Sequence, residues 1–315
     1  MPVGSFDPPS WRMLTSCHRL SYRLFRDGFH GLAVLPSSRI AGIVAGAIVT
    51  LEPGSQRFEI AHRIARGTRP LNIAATPNGQ IYFGEYFDNR ERDEVHVYGS
   101  DDGGSSWHVV HTFPKGAIRH VHNIVYDRWQ DCLWVLTGDE DSECRIVRAS
   151  KDWSEIETVK AGSQNSRAVA FVCRPDSMYF ATDSPSEINY ICRLDPAGTV
   201  SRLAPINGTS FHGCQVGGSV FFSTVVEPSE VNVDPTVCVY GSTDTHSWSK
   251  LLSWRKDWWP MSFFQYGNAV LPTGRNETDF LAVTSVGVKG ADLSTGLWRV
   301  LPQASSTETR NAAAQ

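Results

Sequence analysis

Ser100-Asp-Asp-Gly-Gly-Ser-Ser-Trp107 is the stretch on which the fold turns. It fits S-x-D-x-G-x-[S/T]-W, and each fixed position has a local physical reason. The aspartate can cap turn amides, glycine takes a backbone conformation closed to other residues, and the hydroxyl bonds back into the turn. The tryptophan is then free to pack between neighbouring sheets. A reduced copy, Ser150-Lys-Asp-Trp153, starts 50 residues later. Another, Ser242-Thr-Asp-Thr-His-Ser-Trp248, is one residue short, with His246 where the glycine belongs. Related turns occur at Glu52-Pro-Gly54, Asp195-Pro-Ala-Gly198 and Asp292-Leu-Ser-Thr-Gly296. The acidic residues 52, 102, 152, 195, 244 and 292 are spaced by 50, 50, 43, 49 and 48. A period of this size, holding three or four short strands, predicts an all-β chain: a six-bladed β-propeller with blades of about 43–50 residues.

Working outward, apolar runs of four to eight residues are bounded by Gly, Pro, Asp and Ser, with no sustained 3.6-residue periodicity. Inner strands are expected at 29–35, 71–76, 121–127, 168–173, 213–216 and 267–271. Second strands are expected at 80–84, 132–137, 178–182, 219–224 and 280–284, with that of the first blade inside 40–48. Residues 1–24 form an N-terminal segment in which 11–24 are expected to supply a ring-closing strand. The propeller spans 25–302, and 303–315 have the composition of a disordered tail.

Composition excludes several classes. The 315 residues are 41% hydrophobic and 20% charged, enough apolar side chain to offset chain entropy. Net charge is −4, so no global basic field draws nucleic acid or anionic lipid. No apolar run reaches membrane-spanning length. The first 20 residues contain no apolar leader core, and the expected setting is cytoplasmic. Seven scattered cysteines without a CxxC pair read as reduced strand residues rather than bridges or a zinc site.

On these turns and this spacing, over about residues 26–301, the chain resembles the Asp-box (BNR-repeat) sialidase-like propellers. The resemblance implies the propeller fold, and a family that includes glycosidases, lyases and binding propellers. Sialidase chemistry would require three arginines on a substrate carboxylate, a tyrosine nucleophile with a glutamate, and an aspartic acid. The chain has arginines and Tyr266 but no F/Y-R-I-P segment near its N-terminus; Tyr22-Arg-Leu-Phe25 and His62-Arg-Ile-Ala65 are the nearest echoes.

In a propeller, inner-strand starts and second-strand ends share one face, the usual ligand-binding mouth. The inner-strand starts bring Arg26, His30, Arg69, Asn72, Arg119, His120, His122, Asn123, Arg167, His212, Gln265, Tyr266 and Asn268 to that face. Second-strand ends bring Glu85, Asp139, Asp183 and Glu227. His120 and His122 fall on one strand face, as a general base with its orienting neighbour or as two metal ligands. A metal would need a further ligand such as His212, Asp139 or Glu85; the expectation is no cofactor, with a metal as the lesser alternative. Arg69, Arg119 and Arg167 suit a carboxylate clamp, with Asn123 and Asn268 beside it; structural ion pairs are the competing reading. Tyr86 and Tyr266 are proton-donor candidates, and Trp258-Trp259-Pro260 a sugar-stacking platform or a packing cluster.

The function expected is cleavage of glycosidic bonds in an acidic, uronic-acid-containing oligo- or polysaccharide. Lyase chemistry would use the histidines, a tyrosine and the arginines. Hydrolysis would use the carboxylate pair Glu85 and Asp139. A non-catalytic glycan- or protein-binding propeller is the alternative.

Overall fold

The computed structural model describes residues 3–67 and 69–301; the tail expected at 303–315 lies outside them. Six small sheets follow one another along the chain as the blades of a six-bladed β-propeller. Blade 1 runs from Phe29–Val34 to Glu59–Arg63, and blade 2 from Ala74–Ala75 to His108–Phe113. Blade 3 runs from His120–Asp127 to Ile156–Ala161, and blade 4 from Ala168–Cys173 to Val200–Ile206. Blade 5 runs from Thr209–Val216 to Ser249–Arg255, with Gly274–Asn276 added in parallel to its inner strand. Blade 6 has three strands, Asn268–Val270, Phe280–Val286 and Ser294–Arg299. Inner and second strands fall where the sequence places them. The exception is the inner strand of blade 2, which pairs only at Ala74–Ala75. There Asn72 is drawn away from its own blade, donating from Nδ2 to Asn123 Oδ1 at 2.8 Å.

Blades pack through apolar faces. Tyr82, Val97, Val121, Ile124, Leu133, Val135 and Trp153 form one buried cluster joining blades 2 and 3. Each such side chain contributes roughly 1.5–3 kcal/mol on burial. All seven cysteines are free thiols, and Cys132, Cys144, Cys192, Cys214 and Cys238 are buried in these layers. Among the described residues no helix is long and apolar enough to cross a membrane.

The aspartate turns lie opposite the mouth. Asp102 Oδ1 accepts from the amides of Ser105 and Ser106 at 2.9 Å each and from Ser100 Oγ at 2.8 Å. Burial opposes its charge, but the Ser106 and Ser100 hydroxyls and these amides outweigh it and hold the carboxyl down at about 2. Gly103 and Gly104 have φ of 69° and 96°, and Trp107 packs on Phe83 with ring centroids 5.1 Å apart. In the two shortened turns a non-glycine residue carries the left-handed conformation, Trp153 at φ 60° and Thr245 at φ 61°. His246 does not take the glycine's place.

The ring-closing strand expected at 11–24 is not there; two short helices stand in its place, α1 (Ser10–Ser16) and α2 (Arg19–Phe25). The reason is Arg23. Its side chain is wholly buried, with Nη1 2.5 Å from Asp257 and 3.3 Å from Asp292. Nε and Nη2 both donate to the carbonyl of Phe264, at 3.0 and 2.5 Å. Arg19, one helical turn earlier, also reaches Asp292, at 3.3 Å. A helix sets residues four apart on one face, which a strand cannot do. The start of blade 1 is thereby clasped to blade 6 by ion pairs rather than by a shared sheet.

Candidate active site at the channel mouth

The inner strand of blade 3 brings His120 and His122 to the mouth, and the end of its second strand brings Asp139 between them. Gly138 makes this approach possible, because a Cβ there would lie 2.7 Å from His122 Cε1. His122 is 2% exposed; its Nδ1 faces the carbonyl of Ala168 at 3.2 Å and its Nε2 faces Asp139 Oδ1 at 3.3 Å. Burial, reinforced by the neighbouring His120, lowers the His122 pKa to about 4 despite the Asp139 hydrogen bond. It is therefore neutral at pH 7, and its single N–H can donate to only one of these two acceptors.

His120 differs. Its Nδ1 lies 3.1 Å from the carbonyl of Phe87, which fixes the ring and assigns the proton to Nδ1. Its Nε2 is buried without a hydrogen-bond partner, 3.6 Å from Asp139 Oδ2. Tyr86 lies across the imidazole with ring centroids 4.1 Å apart. Burial, then the charges of Asp183 and Asp139, push the Tyr86 phenol far up, so it keeps its proton.

Burial alone would push the Asp139 carboxyl up. The adjoining His120 and His122 outweigh that and hold it far below the usual carboxylate range. Arg119 Nη1 and Arg167 Nη2 each approach Asp139 at 3.0 Å. Asp139 thus stays ionised and is unsuited to donate a proton. Arg167 also reaches Asp183 at 3.4 Å, and burial pushes Asp183 well up in spite of it. Arg119 reaches outward as well, to Asp88 at 2.5 Å, and Asp88 is more than half exposed. That outer arm is the one a competing carboxylate could take.

The remaining predicted residues are dispersed. Glu85 is 1% exposed and fully engaged, with Arg66 at 2.9 and 2.5 Å and the His96 amide at 2.8 Å. This removes it from a hydrolytic pair with Asp139. Asn123 stitches three blades, accepting from Asn72 and donating to the Val169 carbonyl at 2.6 Å. His212 lies beside Asn268 at 3.3 Å on blades 5 and 6, and burial lowers its pKa to about 4. Tyr266 is half-buried, its pKa raised by burial and by Glu227. Arg69 donates only to the carbonyl of Phe25, at 3.3 Å. Trp258 is 73% exposed and stacked on Trp259 at 4.1 Å, the form a sugar platform takes. Of the two tyrosine candidates, Tyr86 is the one against the histidines. It directly precedes Phe87, whose carbonyl faces His120 Nδ1.

His120, His122 and Asp139 place one donor atom each within 4.8 Å of one another, a set that could hold a divalent ion. The unpartnered Nε2 of His120 favours a ligand there. Two guanidiniums on Asp139 oppose it, since a dication would have to displace both. The set can hold an ion only in competition with Arg119 and Arg167 for Asp139.

A cavity of about 530 Å³ lies at the opposite end of blades 1 to 3, lined by Leu35, Pro77, Tyr126 and Arg128 among others. Its described lining holds no histidine or carboxylate.

Three histidines with lowered pKa values make stability depend on pH. His30, His122 and His212 have folded pKa values of about 4, against 6.5 for the free side chain. Between those values the unfolded chain binds more protons, so stability falls as pH drops through that window. The raised Asp183 carboxyl works the other way, so the three histidines should dominate, and melting temperature fall, between about pH 6 and pH 4.5; a rise over that range would contradict the assignment.

No sequence-family profile matches this chain, and no curated protein matches it in sequence. Solved structures match the fold. An oligogalacturonate lyase from Vibrio parahaemolyticus aligns with a TM-score of 0.56 at 11% identity, over 85% of this chain and 75% of that one. An oligogalacturonate lyase in complex with manganese aligns at 0.57 and 11%, over 87% and 77%. The extracellular domain of a one-component system from B. thetaiotaomicron aligns at 0.54 and 10%, over 85% of this chain but 32% of that one. At 10–11% identity these likenesses show the β-propeller fold, and the sialidase-like resemblance of the turns gains no sequence family from them.

Proposed function

We propose that this propeller is a lyase that cleaves an acidic, uronic-acid-containing oligo- or polysaccharide by β-elimination at the channel mouth. The observation that carries the reading is the unpartnered Nε2 of His120, held between Asp139 and the Tyr86 ring. In this scheme Arg119 exchanges the exposed Asp88 for the substrate carboxylate, drawing charge from C5. His120 Nε2 takes the C5 proton, and Asp139 stabilises the imidazolium that forms. The C4–O bond breaks as the C4–C5 double bond forms, and Tyr86 gives its proton to the leaving oxygen. The imidazolium then returns its proton to Tyr86. Tyr86 covers His120, so its ring must swing aside to admit substrate. The likeness to oligogalacturonate lyases supports the substrate class, and the exposed Trp258 supports a glycan.

Incubation with a panel of acidic polysaccharides, followed at ~235 nm for the unsaturated uronate and by reducing-end assay, tests the reading. Absorbance should rise, and should persist in EDTA because no step runs through a metal. Reducing ends without absorbance would establish hydrolysis instead. Silence in both channels with retained glycan binding would establish a binding propeller.

A further inference from the structure

The mouth arginines divide into two kinds. Arg66, Arg119 and Arg167 each hold an internal carboxylate. Arg26 and Arg69, among the described residues, hold none within ion-pair distance. They are brought together nevertheless: Arg69 Nη2 lies 3.3 Å from the carbonyl of Phe25, the residue before Arg26. Asp27, the carboxylate nearest in sequence, is already used. Its Oδ1 accepts from Arg12 at 2.7 Å, and its Oδ2 accepts from Thr15 and Ser16 at 2.9 and 3.2 Å. Arg26 has φ 51°, a conformation that favours glycine at a helix end and costs an arginine on the order of 1 kcal/mol. Arg26 is exposed just before the blade 1 inner strand, close enough to Arg69, His30 and Tyr266 to act on their charges. Arg26 and Arg12 lower the Arg69 pKa after burial does, as expected of cations awaiting an anion.

We infer that Arg26 and Arg69 form a second carboxylate subsite, which binds an acidic sugar next to the one undergoing cleavage. The inference rests on the lyase reading for its sugar class. It implies that a single uronate is a poor ligand and that the substrate carries carboxylates on successive units. Two guanidiniums can each meet a carboxylate with paired N–H donors, which a lone sugar hydroxyl does not match.

Calorimetric titration of trigalacturonate and monogalacturonate into His120→Ala, Arg26→Gln/His120→Ala and Arg69→Gln/His120→Ala tests it. The His120→Ala background separates binding from turnover, and both arginines lie at the surface or half-buried, so the folded state is retained. Trimer affinity should fall about tenfold or more in each arginine variant, with monomer affinity unchanged. Equal trimer affinity in all three proteins, or no trimer binding by any, would overturn the subsite. Absorbance at ~235 nm with the unsubstituted chain judges the lyase reading separately. Arginine-dependent trimer binding without any absorbance would leave the subsite standing and remove the elimination.

Discussion

Replacing His120 with alanine is expected to lower kcat for elimination about 10²–10⁴-fold while leaving KM within a few-fold. The argument is one of hydrogen-bond supply. His120 keeps Nε2 without a hydrogen bond, 3.6 Å from the Asp139 carboxylate that would stabilise its imidazolium, while Nδ1 faces the Phe87 carbonyl. His122 is wedged between the Ala168 carbonyl and Asp139, and its pKa of about 4 makes it a weak base. His122→Ala should therefore cost less, acting through the position of Asp139 rather than through proton transfer. Tyr86→Phe removes the acid and leaves the ring over His120, so its loss should appear in kcat and be smallest on substrates with good leaving groups. Full turnover by His120→Ala, or a greater loss in His122→Ala, would reverse the assignment of base and neighbour.

Arg23→Ala is the second large effect, on stability rather than catalysis. Its guanidinium is wholly buried and holds Asp257, Asp292 and the Phe264 carbonyl at once. Removing it leaves buried acceptors short of a donor, a loss of about 3 kcal/mol. Lys256 still pairs with Asp257 and Arg19 with Asp292, which keeps the figure at the lower end of the range for broken buried pairs. For a chain of this size the melting temperature should drop by about 5 °C. Proteolysis should first appear within residues 10–25, because α2 loses its clasp. Arg23→Lys should recover only part, since one ammonium cannot replace a fork that spans two carboxylates and a carbonyl. Unchanged melting of Arg23→Ala would mean that the ring closes without this clasp.

Much of the fold is local physics and was legible as such. An aspartate with a glycine and a tryptophan at fixed offsets makes the same turn wherever it occurs, and its recurrence near Asp102, Asp152 and Asp244 counts blades. Strand alternation then puts His120, His122 and Asp139 at one mouth, and the structure brings those three together. Helix α2 was legible only in hindsight, from Arg19 and Arg23 spaced four apart.

What the sequence could not assign is pairing across blades. Arg23 meets Asp257 over 234 residues, Asn123 meets Val169 over 46, and Arg119 meets Asp88 over 31. No local rule links such positions, because a guanidinium or amide is satisfied by whatever carboxylate or carbonyl the closed ring delivers. Tertiary structure alone therefore decided that Glu85 is spent on Arg66, that Tyr86 rather than Tyr266 adjoins the histidines, and that Arg26 and Arg69 hold no internal carboxylate.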